Sequence, residues 1–239
     1  MTRVLFHEDA YLQSCPAAVE RINDEGNIIL NQTIFFATGG GQPGDSGTLT
    51  FDGRSCQIET TILDKDSSGI VHIPAKGAVL PSPGAKVTAT LDWRRRYSFM
   101  RVHTALHLLC SIIPFPVTGG KIGASDGRLD FDISEAGAIE KDDITAKLNA
   151  LIRADHQVAA SSITAAELEA NPGLIRTMSV KPPTRTGRVR LVAIGENGSI
   201  DLQPCGGTHV RSTSEIGSVQ ISKIEKKGRQ NRRVRLVIN

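Results

Sequence analysis

Residues 92–113 read DWRRRYSFMRVHTALHLLCSII, and at Asp92 the character of the chain changes. Asp92 is placed to cap a helix that runs on through Ile113, and Pro114 and Pro116 end it. Upstream the pattern is that of strands. β-Branched or alternating runs occur at Ile28–Leu30, Gln32–Phe36, Gly47–Phe51, Gln57–Leu63, Gly69–Ile73 and Lys86–Leu91, separated by Gly, Asn and Asp clusters. Short strands at this spacing predict a small barrel or sandwich. Pro81-Ser82-Pro83-Gly84 is a turn, because strand-like residues follow at once. Downstream, Val117–Asp132 is strand-like around a glycine-rich middle, and Arg128–Asp132 alternates. A second helix is predicted over Asp142–His156, with Ile144, Leu148, Leu151 and Ile152 on its apolar face. A short third helix is predicted over Ser162–Ala170, and strands at Val189–Ile194, Gly217–Lys223 and Arg233–Ile238. This is an α+β chain with a division near residues 85–95, giving domains 1–90 and 91–239.

Composition narrows the class. The 239 residues are 39 % hydrophobic and 22 % charged, as in ordinary globular proteins of one or two domains. No run approaches the roughly 18 apolar residues of a membrane helix. Glu8 and Asp9 stand where a signal peptide would be apolar. The four cysteines, at 15, 56, 110 and 205, have no framework spacing. A cytoplasmic protein with reduced thiols is expected, with Cys15, Cys56 and Cys110 buried or incidental. Charge is uneven: residues 1–92 carry a net −5 and residues 93–239 a net +8, so the second part is the better match for a polyanion.

Within the first helix, His103 and His107 are one turn apart on one face. Cys205-Gly206-Gly207-Thr208-His209 places a thiol and an imidazole at the two ends of a tight turn. Three of the six histidines and one of the four cysteines fall in these two stretches. Three imidazoles and a thiolate suit zinc in a tetrahedral shell. Either pair alone is more often two incidental side chains. A protease of the HExxH type is excluded, because Thr104 occupies the position of its general base. A zinc finger is excluded, because no close cysteine pair exists.

A second feature is the loop Gly39-Gly40-Gly41-Gln42-Pro43-Gly44-Asp45-Ser46-Gly47. Five glycines in nine residues let the backbone approach a ligand closely or adopt positive φ. Gln42 adds a donor and an acceptor. A plain hairpin loop is the alternative. A P-loop is not, since no Gly-Lys-Ser/Thr follows. Asp45 is expected to order the loop through Asx-type hydrogen bonds.

The order Phe35-Phe36-Ala37-Thr38-Gly39-Gly40-Gly41-Gln42, Asp45-Ser46-Gly47, HTALHLL at 103–109, Gly127-Arg128-Leu129-Asp130-Phe131-Asp132, CGGTH at 205–209 and Glu215-Ile216-Gly217 resembles the editing domain of alanyl-tRNA synthetase. It is most similar to the free-standing editing proteins of the AlaX family in their medium-length form, over nearly the whole chain. The resemblance implies a small translation-factor-like β-barrel followed by an α/β editing domain shared with threonyl- and alanyl-tRNA synthetases. It implies hydrolysis of the ester joining a wrong amino acid, serine or else glycine, to tRNA(Ala). It gives His103, His107, Cys205 and His209 the zinc-ligand roles, and Gln42 the place of the family glutamine that faces the editing pocket. No room is expected for an ATP-dependent charging domain or for a C-terminal extension, and no membrane partner is expected. Phe36 and Thr38-Gly39 depart from the tyrosine and Glu-Ser usual in the synthetase, which bears on serine against glycine. The oligomeric state is left open.

Chemistry adds further expectations. Zinc can bind the substrate amino group or carbonyl, or hold water at a lowered pKa of about 7. Catalytic zinc keeps a position open, so one of four ligands should yield; His209, the last residue of the turn, is the choice. Serine differs from alanine by a hydroxyl, and a site that hydrogen-bonds it discriminates far better than an apolar pocket. Gln42, Thr38 and Thr208 are candidates for that bond, with Gly40 and Gly41 as close-approach backbone; Thr38 and Thr208 can instead satisfy their own loops. Gln42 and Cys205 are the catalytic candidates. Arg128 and Asp130 share one strand face, either as an ion pair or as a lining for the tRNA 3′ end. For phosphate contact the clusters are Arg94-Arg95-Arg96 with Arg101, the loop carrying Lys181, Arg185, Arg188 and Arg190, and the tail from Lys223. Trp93 and Tyr97 are candidates for base stacking or boundary packing. Two other readings stand beside the hydrolase: a non-catalytic tRNA-binding module with structural zinc, and a metallohydrolase of small esters or amides.

Overall fold

Period-two alternation organises the N-terminal part. β1 (Arg3–Val4) pairs in parallel with β4 (Gln32–Thr33). The strands β2 (Ser14–Ile22), β3 (Ile28–Leu30), β5 (Gly47–Phe51), β6 (Arg54–Leu63), β7 (Ile70–Pro74) and β8 (Lys86–Leu91) close into a six-stranded barrel in the order β2-β3-β7-β6-β5-β8. In β8 every second side chain is buried, and Val19, Leu30, Leu49, Ile58, Val87 and Leu91 fill the same core. This computed structural model describes residues 2–64, 69–133, 139–177, 184–185, 187–228 and 230–239, with backbone alone at 184 and 185. The chain divides into two compact units, Met1–Tyr97 and Ser98–Asn239.

The long strand β2, whose Pro and paired Ala residues are weak strand formers, was not read in the sequence. Its buried Cys15, Ala17 and Val19 alternate all the same. The strand predicted over Gln32–Phe36 stops at Thr33. Ile34, Phe35 and Phe36 are buried, but side chains replace the strand ladder there: Arg96 donates to the Ile34 carbonyl at 2.5 Å, and Asp45 accepts the Phe36 N–H at 2.6 Å.

α1 (Trp93–Ile112) begins in the first unit and ends in the second. Asp92 caps it, accepting the Arg95 N–H at 3.1 Å. From Phe99 to Cys110 every residue except Arg101 is buried, so the helix has no solvent stripe. In the second unit β9 (Val117–Ile122), β10 (Asp126–Asp132), β15 (Val219–Lys227) and β16 (Asn231–Ile238) form an antiparallel sheet in the order β15-β16-β10-β9. α1 packs on it where Gly127 leaves space: a Cβ there would lie 2.7 Å from Val102. α2 (Lys141–Arg153) packs on β15, tied by both ends of the Asn149 amide to the Val219 backbone. Its buried side chains are Ile144, Leu148 and Ile152; Leu151 is only half-buried. A second sheet is centred on β13 (Arg188–Ile194), which pairs with β11 (Val158–Thr164), β12 (Thr184–Arg185) and β14 (Asp201–Pro204). The helix predicted over Ser162–Ala170 is shorter. Residues 162–164 end β11, and α3 (Ala165–Ala170) starts behind a Thr164–Glu167 capping box.

Candidate metal centre and glycine-rich loop

The cluster in the second unit is built by one helix, one strand and one turn. α1 carries His103 and His107, four residues apart, and their rings lie 5.3 Å apart. β14 leads straight into the turn that carries Cys205 and His209. The His209 ring centroid is 4.3 Å from that of His103 and 4.6 Å from that of His107. Cys205 Sγ lies 3.6 Å from His103 Nε2 and 3.3 Å from His209 Nε2. All four donor atoms fall within 4.8 Å of one another, so these residues can hold a metal ion.

The surroundings hold His107, His209 and the Cys205 turn in place. His107 Nδ1 is 2.8 Å from Asp201 Oδ2, and Gln203 Nε2 donates to the same oxygen at 2.8 Å. His209 Nδ1 is 3.1 Å from Thr104 Oγ1, whose own proton goes to the Met100 carbonyl at 2.9 Å. Thr104 also accepts the Val210 N–H at 3.3 Å. His209, expected as the loose ligand, is therefore anchored. Arg190 clamps the turn, donating to the carbonyls of Cys205 (2.7 Å) and Gly207 (3.0 Å), and the Gly207 N–H points at Cys205 Sγ, 3.4 Å away.

Electrostatics follow from this crowding. Burial works to raise the Cys205 thiol, but the imidazoles of His103 and His209 beside it hold it well below its usual value. Burial works to lower His107, yet Asp201 and Cys205 outweigh it and carry the imidazole up to about 10. Burial, then the neighbouring His103, hold His209 well below the usual histidine value. Cys110 is buried, and burial pushes its thiol up to about 12; burial also raises Cys15 and Cys56. All three are free, buried thiols.

The glycine-rich loop belongs to the first unit. Gly39 and Gln42 exchange backbone hydrogen bonds of 3.1 and 2.9 Å across Gly40 and Gly41. Both central glycines have positive φ, 56° and 83°, as a type I′ turn demands. Gln42 is fully buried. Thr38 is exposed, and its hydroxyl serves the loop: it donates to the Thr61 carbonyl at 3.3 Å and accepts the Gly44 N–H at 2.9 Å. Asp45 orders this loop from a distance rather than by a local Asx turn. Its buried carboxylate takes the Phe36 N–H and pairs with Arg96, also buried. Arg96 further donates to the Ala10 carbonyl at 2.9 Å.

The remaining candidates are placed as follows. Thr208 is fully buried in the Cys205–His209 turn. Arg128 pairs with Asp130 at 3.2 Å, and Asp130 also takes a two-pronged bond from Arg233, 2.7 Å on each prong. Of the expected phosphate contacts, Arg96 and Arg190 are structural, and Arg101 is bound to the Ile216 carbonyl at 2.9 and 2.6 Å. Arg94 is exposed. Lys181 and the Arg185 side chain lie outside the described residues. Trp93 and Tyr97 pack on each other and on Tyr11, with centroids 5.3–6.4 Å apart. Sequence reading missed Asp201 and Gln203, and gave Thr104 and Arg190 other parts. Asp201 and Gln203 had a signal: they alternate on the strand that leads into Cys205, so the two share a face.

Residues 189–235 match the family described as "Threonyl and Alanyl tRNA synthetase second additional domain", and residues 10–95 match "tRNA synthetases class II (A)". The alanyl-tRNA editing protein AlaX-M of Methanosarcina acetivorans is 31 % identical over 242 aligned residues, covering 98 % of both chains. AlaX-M of Methanosarcina mazei is 32 % identical, covering 98 % of this chain and 95 % of that one. The alanine–tRNA ligase of Pyrobaculum neutrophilum is 36 % identical over 94 % of this chain, which spans 25 % of that enzyme. With near-complete coverage of both partners at this identity, the chain belongs to the AlaX-M family of alanyl-tRNA editing proteins.

Proposed function

We propose that this protein is a zinc-dependent hydrolase that acts in trans on mischarged tRNA(Ala), releasing serine and, secondarily, glycine. The observation that carries the metal part is the cluster of three imidazoles and one thiol within 4.8 Å. A tetrahedral zinc with bonds of about 2.0–2.3 Å requires ligand–ligand edges of roughly 3.3–3.7 Å. The Cys205–His103 and Cys205–His209 distances, 3.6 and 3.3 Å, fit. His103, His107, Cys205 and His209 would hold the ion. Bound there, zinc would supply Lewis acidity toward an ester carbonyl or toward water. The tRNA substrate and the ester cleavage come from the relatives' role as alanyl-tRNA editing proteins. The barrel, under the same reading, is of the translation-factor kind, and residues 91–239 are the editing domain.

The chain's own residues have defined tasks in this reading. An aminoacyl ester is already activated, so the work is selection and placement. Under this reading Gln42, which follows the Gly40–Gly41 turn, takes the catalytic part that the motif gives its glutamine. Thr208, buried in the ligand turn, is the second candidate for a bond to the serine hydroxyl, a bond the alanine ester cannot make. The Thr38 hydroxyl already has two backbone partners, which weakens its claim. Arg128, paired with Asp130, is the candidate for the tRNA end.

A second reading, a tRNA-binding module with structural zinc, draws support from the closure of the site: four protein donors, two of them braced from behind. The test is deacylation of tRNA(Ala) carrying Ser, Gly or Ala, by the wild type and by Cys205→Ala. Release of serine with alanine spared, lost in Cys205→Ala together with about one zinc per chain, is the expected result. Tight tRNA binding without release of any amino acid would overturn the hydrolase.

A further inference from the structure

We propose that Asp201, assisted by Gln203, is the positioning residue of the metal centre: it selects Nε2 of His107 as the ligand and supplies the negative charge that completes the site for a divalent cation. This rests on the metal-dependent reading above. Only an unprotonated ring nitrogen can ligate, and which one is free depends on the bond the other makes. Nδ1 of His107 faces Asp201 Oδ2 at 2.8 Å. A carboxylate oxygen there accepts from Nδ1–H, which leaves Nε2 as the nitrogen that would ligate a metal. Gln203 Nε2 donates to that same oxygen at 2.8 Å and fixes the carboxylate's orientation.

The cost of this arrangement is what makes it informative. The Asp201 side chain is fully buried, and among the described residues no Lys or Arg lies within ion-pair distance of it. Its other oxygen, Oδ1, is buried and has no hydrogen-bond partner among the described residues. A buried carboxylate with one bare oxygen is unfavourable unless a positive charge is close. Charge counting names that charge. With a metal bound, Cys205 would ligate as thiolate and His103, His107 and His209 as neutral rings, so a divalent cation, the thiolate and the Asp201 carboxylate would together make the centre neutral; without the metal, the His107 imidazolium faces Asp201. His209 shows the contrast: its Nδ1 is braced by the neutral hydroxyl of Thr104. The strand explains how sequence builds this. Asp201 and Gln203 alternate on β14, whose end runs into the turn carrying Cys205, so one short segment delivers both a ligand and the group that orients His107.

The experiment uses Co2+ as probe on the full chain, with Asp201→Asn as an isosteric neutral variant and Gln203→Leu as a milder one. Competition with a chelator reads affinity, and the visible Co2+ bands read the ligand field. Asp201→Asn is expected to bind Co2+ about 10–100-fold more weakly, with shifted bands, while its metal-free urea midpoint equals or exceeds that of the wild type. Gln203→Leu should lose several-fold. That combination separates positioning from scaffolding, since a structural residue would lose metal-free stability. Co2+ affinity of Asp201→Asn within twofold of wild type overturns the proposal, as does a metal-free midpoint that falls as far as binding does. A wild type that binds no Co2+ removes the metal reading itself, whichever way the variants behave.

Discussion

The Asp45–Arg96 pair offers the sharpest energetic test of the first unit. Both side chains are almost completely buried, at 1 % and 0 % exposure. The carboxylate also accepts the Phe36 N–H, and the guanidinium also donates to the Ala10 and Ile34 carbonyls. Removing one partner strands a buried charge, which costs about 3–5 kcal/mol. Asp45→Ala and Arg96→Met should each lose that much. If the effects were independent, the double variant would lose about 6–10 kcal/mol. It should not, because the double variant contains no buried charge. What remains unpaired is one N–H and two carbonyls, at about 1–2 kcal/mol each. The double variant should therefore lose about 3–6 kcal/mol, close to either single one, with a coupling of about 3–4 kcal/mol. Urea unfolding is the assay, and Trp93 is a built-in probe. It is the sole tryptophan and stands on the same helical turn as Arg96. With a slope of about 2 kcal/mol/M, each single variant should drop the midpoint by roughly 2 M. Additivity within about 0.5 kcal/mol would show the pair to be uncoupled and refute the reasoning. So would a single-variant loss below about 1 kcal/mol.

Three further outcomes are expected. His72 is buried in the barrel, its Nδ1–H donating to the Ile28 carbonyl and its Nε2 accepting from Thr33, and burial lowers its pKa to about 4. The unfolded chain takes up this proton near pH 6.5 and the folded chain only near pH 4, so stability is full above about 6.5 and declines as pH falls toward 4; urea midpoints at pH 7, 5 and 4 should show this decline, smaller in His72→Gln, and an equal decline in both would remove His72 as the cause. Gly127→Ala should cost about 1–3 kcal/mol, because the new Cβ meets Val102 at 2.7 Å and Leu106 at 3.2 Å; a urea midpoint unchanged from wild type would show that α1 shifts freely on its sheet. Arg190→Met should weaken Co2+ binding several-fold by releasing the Cys205 and Gly207 carbonyls, leaving the turn less ordered; unchanged affinity would mean the turn holds its shape alone.

What the sequence disclosed and what it withheld divide along a physical line. Local rules sufficed where one residue's neighbours are near in the chain. The Asp92 cap, the alternation of β8 and the proline stop after α1 depend on contacts within a turn or a strand. The pairing of His103 with His107 was legible for the same reason, and the Cys205–His209 turn likewise. Their convergence is a contact across 102 positions, and only the concentration of rare residue types pointed to it. Where a side chain took over a backbone's bonds, the local rule misled. Ile34–Phe36 have strand-forming side chains, yet their backbone is claimed by Arg96 and Asp45 from 62 and 9 residues away. Charge misled in the same manner. Arg96, Arg101 and Arg190 looked like phosphate ligands in a basic half, but Arg101 and Arg190 donate to carbonyls of their own unit, and Arg96 to two carbonyls and the Asp45 carboxylate. An arginine has five donors, and a fold rich in turns has many carbonyls left over. A basic run therefore says little about nucleic acid until its hydrogen bonds are counted. Thr104 gives the converse lesson. Its presence removed the HExxH base and looked like a loss. In the fold its hydroxyl donates to the Met100 carbonyl and faces His209 Nδ1, so the position between His103 and His107 supports the third imidazole of the cluster.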